Sequence, residues 1–197
     1  MAHGPRYRRA KRRRFQGKTD YHKRLKLLKS KSLRLVIRVS NNNVRVQVIE
    51  SKLGGDKVLI NSFSKELTKK YGWNYNCGNL PSAYLTGYLA GIRAKKNNLT
   101  ELILDLGGFY HRNRVLAAFK GALKAGLEIP YREEFFPEGF EERTNGNHIE
   151  SFAKLLKQNE PEKYEQVFSG YINKNKVDPL KISESFSNVL KKIEESA

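Results

Sequence analysis

Residues 33–51 read LRLVIRVSNNNVRVQVIES, two runs rich in β-branched residues separated by three consecutive asparagines. From Leu33 to Ser40 and from Val44 to Ser51, apolar side chains alternate with polar ones at period two, which sends one set to a buried face and the other outward. Asn41, Asn42 and Asn43 suit a tight connection, so the stretch reads as a β-hairpin. Gly54, Gly55 and Asp56 supply a second turn, and KVLINSFS, Lys57 to Ser64, a third strand, so the domain opens as a β-meander. Arg34, Arg38 and Arg45 alternate with the apolar set and are expected on an outer face, either as contacts to a polyanion or as the solvated side of a one-sided sheet.

Beyond the meander the period changes. In NLPSAYLTGYLAGIRAKKN, residues 79–97, Leu85, Leu89 and Ile92 repeat at helical spacing, Pro81 stands in the opening turn and cations gather at the end. ELILDLG, residues 101–107, reads as a buried strand, and VLAAFKGALKAGLEIP as a second helix ending at Gly126 with Pro130 just beyond. Gly87, Gly91 and Gly121 are expected to let these helices lie close against the sheet. The order β-β-β-α-β-α predicts an α/β fold, a mixed β-sheet with helices packed on one face and the other face free to stay open. The expected organisation is a basic arm and short helix over residues 1–30, an α/β core domain over 31–130, and a partly helical C-terminal extension over 131–197. Helical stretches are expected near 148–157, 161–168 and 179–194. Phe135, Phe136, Phe140, Phe152, Tyr164, Phe168, Tyr171 and Phe186 are too many large apolar groups to leave in water, so the extension must pack on the domain or on a partner.

The N-terminus runs MAHGPRYRRAKRRRF, where seven of the nine residues from Arg6 to Arg14 are Lys or Arg. The whole chain of 197 residues carries a formal net charge of +18. That charge is graded: residues 1–38 hold fifteen bases and one acid, 39–127 thirteen and five, and 128–197 ten and fourteen, so the net value falls from +14 through +8 to −4. A polyanion, and nucleic acid first, is the simplest partner for such a chain. The arm repels itself and has little to bury, so it is expected to order against phosphates. Tyr7, Phe15 and Tyr21 interleave with the charge and can stack on bases or ribose. From Thr19 to Lys29 a short amphipathic helix is expected, capped by Thr19 or Asp20, with Leu25 and Leu28 toward the domain and Lys23, Arg24 and Lys26 outward.

Other chemistries find little footing. No apolar run approaches the roughly 18 residues that span a bilayer, and the N-terminus lacks the apolar stretch of a signal peptide, so no membrane partner is expected. Cys77 is the single cysteine and reads as a packing residue in a reducing compartment. Glu66, Glu101, Asp105 and Glu128 are not spaced to force a two-metal nuclease centre. His3, His22, His111 and His148 lack metal-ligand spacing, and DLGGFYHRNR lacks the glycine and lysine spacing of a P-loop. Neither a catalytic residue, a metal, a cofactor nor a small-molecule substrate is expected. Gly107 and Gly108 read instead as a turn that presents His111, Arg112, Asn113 and Arg114 as a second cationic loop.

Taken in order, GPRYRRAKRRRF, TDYHKRLKLLKS, LRLVIRVSNNNVRVQVI, YGW at 71–73, NLPSAYLTGYLAG, ILDLG, FKGALKAGLEIP and NGNHI resemble the archaeal branch of the large-subunit ribosomal protein L18 family, whose eukaryotic relative is ribosomal protein L5. The resemblance runs from residue 4 to about residue 150. It implies a non-catalytic protein of the cytoplasmic ribosome that binds 5S rRNA and helps fix it to 23S rRNA in the central protuberance, beside neighbouring large-subunit ribosomal proteins. Carried over, Arg6, Tyr7, Arg8, Arg9, Lys11, Arg12, Arg13, Arg14, Phe15 and Lys18 of the arm and Tyr21, His22 and Arg24 of the helix would occupy RNA grooves. Arg38, Asn41, Asn42, His111, Arg112, Asn113 and Arg114 would meet 5S rRNA from the sheet and loops. Tyr71 and Trp73 are open to two roles, core packing or stacking on a base. Cations would set affinity, while aromatics and asparagines would choose the RNA. The alternative is a non-ribosomal RNA-processing or RNA-chaperone protein, betrayed by metal-dependent cleavage or by equal binding to any duplex.

Overall fold

The computed structural model describes residues 4–108 and 113–196. Two short helices, α1 (Arg12–Phe15) and α2 (Tyr21–Lys29), lead into the sheet. Strands β1 (Arg34–Val39) and β2 (Val44–Lys52) form the hairpin, in register from Arg34 opposite Ile49 to Val39 opposite Val44. The Ser40 N–H donates to the Asn43 carbonyl at 2.8 Å and closes the connection. Strand β3 (Gly55–Phe63) continues the meander antiparallel to β2, with a bulge between Val48 and Ile49. A single short turn, α3 (Ser64–Glu66), runs into a π-helical turn over Leu67–Tyr71.

Alternation puts Leu35, Ile37, Val39, Val44, Val46 and Val48 on one face, all buried, and the main helices cover them. The first of these helices, α4 (Leu80–Lys96), starts at Asn79, whose side-chain oxygen accepts the Ser82 N–H at 2.9 Å. At its far end Arg93 donates to Glu66 at 2.6 Å and to the Asn61 carbonyl at 2.6 Å, tying α4 to the end of β3. Strand β4 (Ile103–Asp105) then pairs parallel with β1, Arg34 opposite Ile103 and Val36 opposite Asp105, and the chain returns through α5 (Asn113–Lys124). The strand order is β3-β2-β1-β4, a mixed sheet of the expected α/β kind. Two details depart from expectation. β4 is a three-residue edge strand, half-buried rather than enclosed. The glycines serve a helix–helix contact and not the sheet: a Cβ on Gly87 would overlap the Ala118 carbonyl oxygen, and one on Gly121 the Tyr84 carbonyl oxygen, so α4 and α5 touch backbone to backbone.

The C-terminal part comprises α6 (Phe140–Asn145), α7 (Asn147–Asn159), α8 (Pro161–Ser169), a π-helical turn over Gly170–Asn175, and α9 (Ile182–Glu195). Phe136 stacks on Phe119 of α5 at 5.7 Å, with Phe135 edge-on to both rings. Helix α9 buries Ile182, Phe186, Val189 and Ile193 in the same core as the sheet, Phe186 lying 5.5 Å from Tyr84. Tyr88 donates its hydroxyl to Glu194 at 2.8 Å, and burial together with that carboxylate pushes the phenol up to about 12. Helices α7 and α8 close over a smaller cluster of Ala153, Leu156 and Phe168, with Tyr164 against it, while Phe152 stays half exposed. Among the described residues no helix is long and apolar enough to cross a membrane.

Because the α4–α5 contact leaves no room for a methyl group, Gly87→Ala is expected to lower stability by about 1–3 kcal/mol in urea denaturation, the usual cost of overpacking. Gly170→Ala, with nothing within 4 Å of the added Cβ, is expected to be neutral or slightly stabilising in the same measurement.

Candidate nucleic-acid interface

The arm from Gly4 to Lys18 lies wholly exposed, and α1 buries no residue. Arg6, Arg8, Arg9, Lys11, Arg12, Arg13, Arg14 and Lys18 have no carboxylate partner among the described residues. Tyr7 and Phe15 are 56% and 78% exposed, which leaves both rings open to stacking on a base or ribose. The arm's internal contacts are few: Arg13 donates to Thr19 at 2.8 Å, and the Lys11 ammonium sits 4.9 Å over the ring of Tyr21.

Helix α2 is capped by Asp20, whose carboxylate accepts the His22 and Lys23 N–H groups at 3.0 and 3.2 Å. Its docking side differs from the expected one. Leu25 is exposed, Leu27 and Leu28 are partly buried, and Arg24 turns toward the sheet. Arg24 Nη2 meets both oxygens of Asp56 at 2.8 and 2.9 Å, and this ion pair ties that side of the helix to the sheet. His22 and Lys26 remain exposed.

Asp56 is one end of a chain of charges running under α2. Arg34, only 1% exposed, reaches Asp56 with one guanidinium nitrogen at 2.9 Å and Asp105 with the other at 2.7 Å. Arg38 donates to the second Asp105 oxygen at 3.1 Å and to the Asp105 carbonyl at 2.8 Å, and Asp105 in turn accepts the Gly107 N–H at 2.9 Å. Arg34 therefore does not share an open outer face with Arg38 and Arg45. At this end the second face of the sheet is closed, with Val36 buried beside Arg34, while Arg45 lies exposed over the Phe63 ring at 5.0 Å. Burial alone would raise the Asp56 carboxyl, but hydrogen bonds from Arg24 and Arg34 prevail and hold it below the ordinary range. Between α2 and the sheet a cleft of about 730 Å³ remains, its rim carrying Arg13, Lys18, Lys26 and Arg38. Asp20, Asp56 and Asp105 also line it, the first engaged by backbone N–H groups and the other two by arginines, so the cleft presents mainly cations and suits a phosphate chain.

At the hairpin turn Arg114 does something other than expected. Its Nη1 donates to the carbonyls of Ser40, Asn41 and Gly78 at 2.6, 3.0 and 3.2 Å, so it fastens three loops of the protein together. Asn41, Asn42 and Asn113 stay exposed around that fastening, and their side-chain amides make no hydrogen bond among the described residues. Trp73 must be withdrawn from the RNA-facing set. It is fully buried, its ring lies 5.2 Å from Tyr75, and its Nε1–H donates to the Asn76 carbonyl at 3.3 Å, leaving no face for a base. Tyr71 is buried too, its hydroxyl bonded to Ser196 at 3.2 Å. His111 and Arg112 lie outside the described residues.

Glu66, like Asp105, is engaged by an arginine: burial would raise its carboxyl, yet the hydrogen bond from Arg93 holds it low. Among the described residues no three His, Cys, Asp or Glu side chains converge as metal ligands do. The Cys77 thiol is half-buried against Thr68 Oγ1 at 3.4 Å and the Ser64 carbonyl at 3.5 Å. The positioning residues that the sequence did not reveal are Arg34, Asp56 and Asp105. The available signal was the scarcity of acids in a strongly basic region, where each acid has a reason to be there.

Removing the Asp105 carboxylate leaves the Arg34 guanidinium buried and half-paired, so Asp105→Ala is expected to cost about 3–5 kcal/mol in denaturant unfolding. Asp56 adds a pH dependence of definite sign. Its carboxyl is lower in the folded chain, so its contribution is present above the unfolded value of about 4 and fades as pH falls through the folded one. Asp56→Asn should remove that part of the acid sensitivity in a stability–pH series.

The sequence model of the family described as ribosomal large subunit proteins 60S L5 and 50S L18 matches residues 5–105, which take in the arm, α2 and the whole sheet. The large ribosomal subunit protein uL18 of Korarchaeum cryptofilum (strain OPF8) is 49% identical over 195 residues, covering 98% of this chain and 97% of that protein. The likeness thus continues beyond residue 150 through α7, α8 and α9. On both grounds the chain belongs to the family of large-subunit ribosomal proteins that comprises 60S L5 and 50S L18.

Proposed function

We propose that this chain is a non-catalytic constituent of the large ribosomal subunit in the cytoplasm, binding 5S rRNA and helping to attach it to 23S rRNA in the central protuberance beside neighbouring ribosomal proteins. The observation that carries the reading is the arm: eight exposed cations from Arg6 to Lys18 with no acidic partner among the described residues, interleaved with two uncovered aromatic rings. An extended segment of that kind has no reason to order alone. Against RNA each guanidinium can grip a phosphate bidentately or lie on a base, and many such contacts offset the cost of ordering. Duplex RNA offers phosphates, 2′-hydroxyls and shape, which suit the arm and the cationic cleft beneath α2. Family membership supports the same assignment.

The affinity of the purified chain for 5S rRNA is expected to fall steeply with salt, each neutralised phosphate adding roughly 0.7–0.9 to the slope of log K against log salt. Deleting residues 1–18, of which the described residues 4–18 lie exposed, should leave the thermal midpoint unchanged, reduce that slope, and impair incorporation into large subunits. A flat salt response of the full chain, or cleavage of 5S rRNA on addition of divalent metal, would overturn the proposal.

A further inference from the structure

A second concave surface opens beside the hairpin turn, built from three segments far apart in sequence. This groove of about 430 Å³ is lined by Asn42 of the turn, Lys65 and Asn74 from either side of the π-helical turn, and Lys174 and Asn175 from the turn after α8. No Asp or Glu lines it. The amides of Asn42, Asn74 and Asn175 make no side-chain hydrogen bond among the described residues, and neither lysine meets a carboxylate there. Asn76, also in the wall, uses its oxygen to accept the Gly78 N–H at 2.8 Å, which leaves its NH₂ group to point elsewhere.

The walls are held firmly. Tyr75 and Tyr171 pack edge to face at 5.5 Å, and the Tyr75 hydroxyl donates to the Asp178 carbonyl at 2.7 Å, which locks the C-terminal turn onto the loop after Trp73. The Val177 N–H donates to the Tyr171 carbonyl at 3.0 Å, and Lys176 takes a left-handed conformation, φ 52°, so the turn projects Lys174 and Asn175 in a defined direction. On the hairpin side the three bonds from Arg114 fix the turn that carries Asn42.

Free carboxamides and ammonium groups around one concavity match one ligand chemistry. A carboxamide offers a donor and an acceptor side by side, the pattern displayed by a base edge, and an ammonium group answers a phosphate. In an A-form duplex the major groove is too deep and narrow for side chains to reach the base edges and the shallow minor groove is met mainly by shape and 2′-hydroxyl contacts, so amides that choose among bases act best on a base that is unstacked and unpaired. We infer that this groove receives an unpaired nucleotide of the bound RNA, with Asn42, Asn74 and Asn175 reading the base and Lys65 and Lys174 answering the flanking phosphates. The inference rests on the RNA-binding reading above and adds to it: it supplies selectivity for a looped RNA, where the arm supplies affinity for any, and it brings the acidic C-terminal part into RNA contact through two residues.

Two variants test it in the full-length chain: Asn42→Ala with Asn74→Ala and Asn175→Ala, and Lys65→Ala with Lys174→Ala. All five side chains are exposed, and unchanged thermal midpoints would show that the fold is intact. The amide variant should bind 5S rRNA roughly tenfold or more weakly, the loss expected for base-edge contacts, while binding to a fully paired RNA of equal length and the salt slope stay as in the parent. The lysine variant should lower the slope by roughly 1.4–1.8, the equivalent of two phosphates. Chemical probing should reveal an unpaired nucleotide protected by the parent and reactive with the amide variant. If both variants bind 5S rRNA like a salt-sensitive parent, the groove proposal fails and the arm reading stands. If the amide variant loses looped and paired RNA equally, the groove does not read bases and the proposal again fails. If the parent itself does not bind 5S rRNA, both readings fall.

Discussion

A single arginine side chain, buried at position 34, sits at the junction on which the rest of this structure depends. A guanidinium withdrawn from water is tolerable only when acids meet it, and Arg34 meets two, Asp56 of β3 and Asp105 of β4. Those acids stand on opposite edges of the sheet order, so the charge is neutralised only when the meander and the parallel edge strand are both in place. Each acid also holds an arginine of its own: Asp56 takes Arg24 from α2 and Asp105 takes Arg38. The base of the arm and the turn at Gly107 are thereby referred to one buried charge in the sheet.

The opposite face of the sheet is governed by shape. Gly87 and Gly121 let α4 and α5 meet at backbone distance, which brings two helices over a sheet only four strands wide. Helix α9 then seals the outer side of α4 with Phe186, Val189 and Ile193, so the acidic end of the chain closes the core while the basic end stays free. This polarity suits a protein working among phosphates. Its cations remain available because the acids lie mostly elsewhere in the chain, and those near the arm are already engaged, Asp56 and Asp105 by arginines and Asp20 by backbone N–H groups.

Recognition then separates into parts with different physics. Under the proposed function, an arm with no core supplies long-range, salt-sensitive attraction and orders against its partner. A rigid body supplies surfaces whose spacing cannot adapt, and on the inference drawn above the amides held in place by Arg114 and by the Tyr75–Tyr171 contact discriminate among RNAs by geometry.

Much of this was legible in the residues themselves. The period-two runs around Asn41–Asn43, the helical spacing from Leu80 to Lys96 and the charge gradient follow from local chemistry, and the α/β order emerged with boundaries within a few residues. Arg24, Leu25, Arg34, Trp73 and Arg114 were less legible, because the role of a long or amphipathic side chain depends on what lies within its reach. Arg24 is outward on a helix drawn alone and inward once Asp56 stands 32 residues further along the chain yet in contact. Trp73 is a stacking platform or a core residue until Tyr75 encloses it. The amino-acid sequence by itself determined which segments are strands, helices and arm, since periodicity and propensity act between near neighbours. Only the tertiary structure decided which of the described cations are held by the protein and which stay exposed, since an ion pair or a groove exists only where distant segments meet.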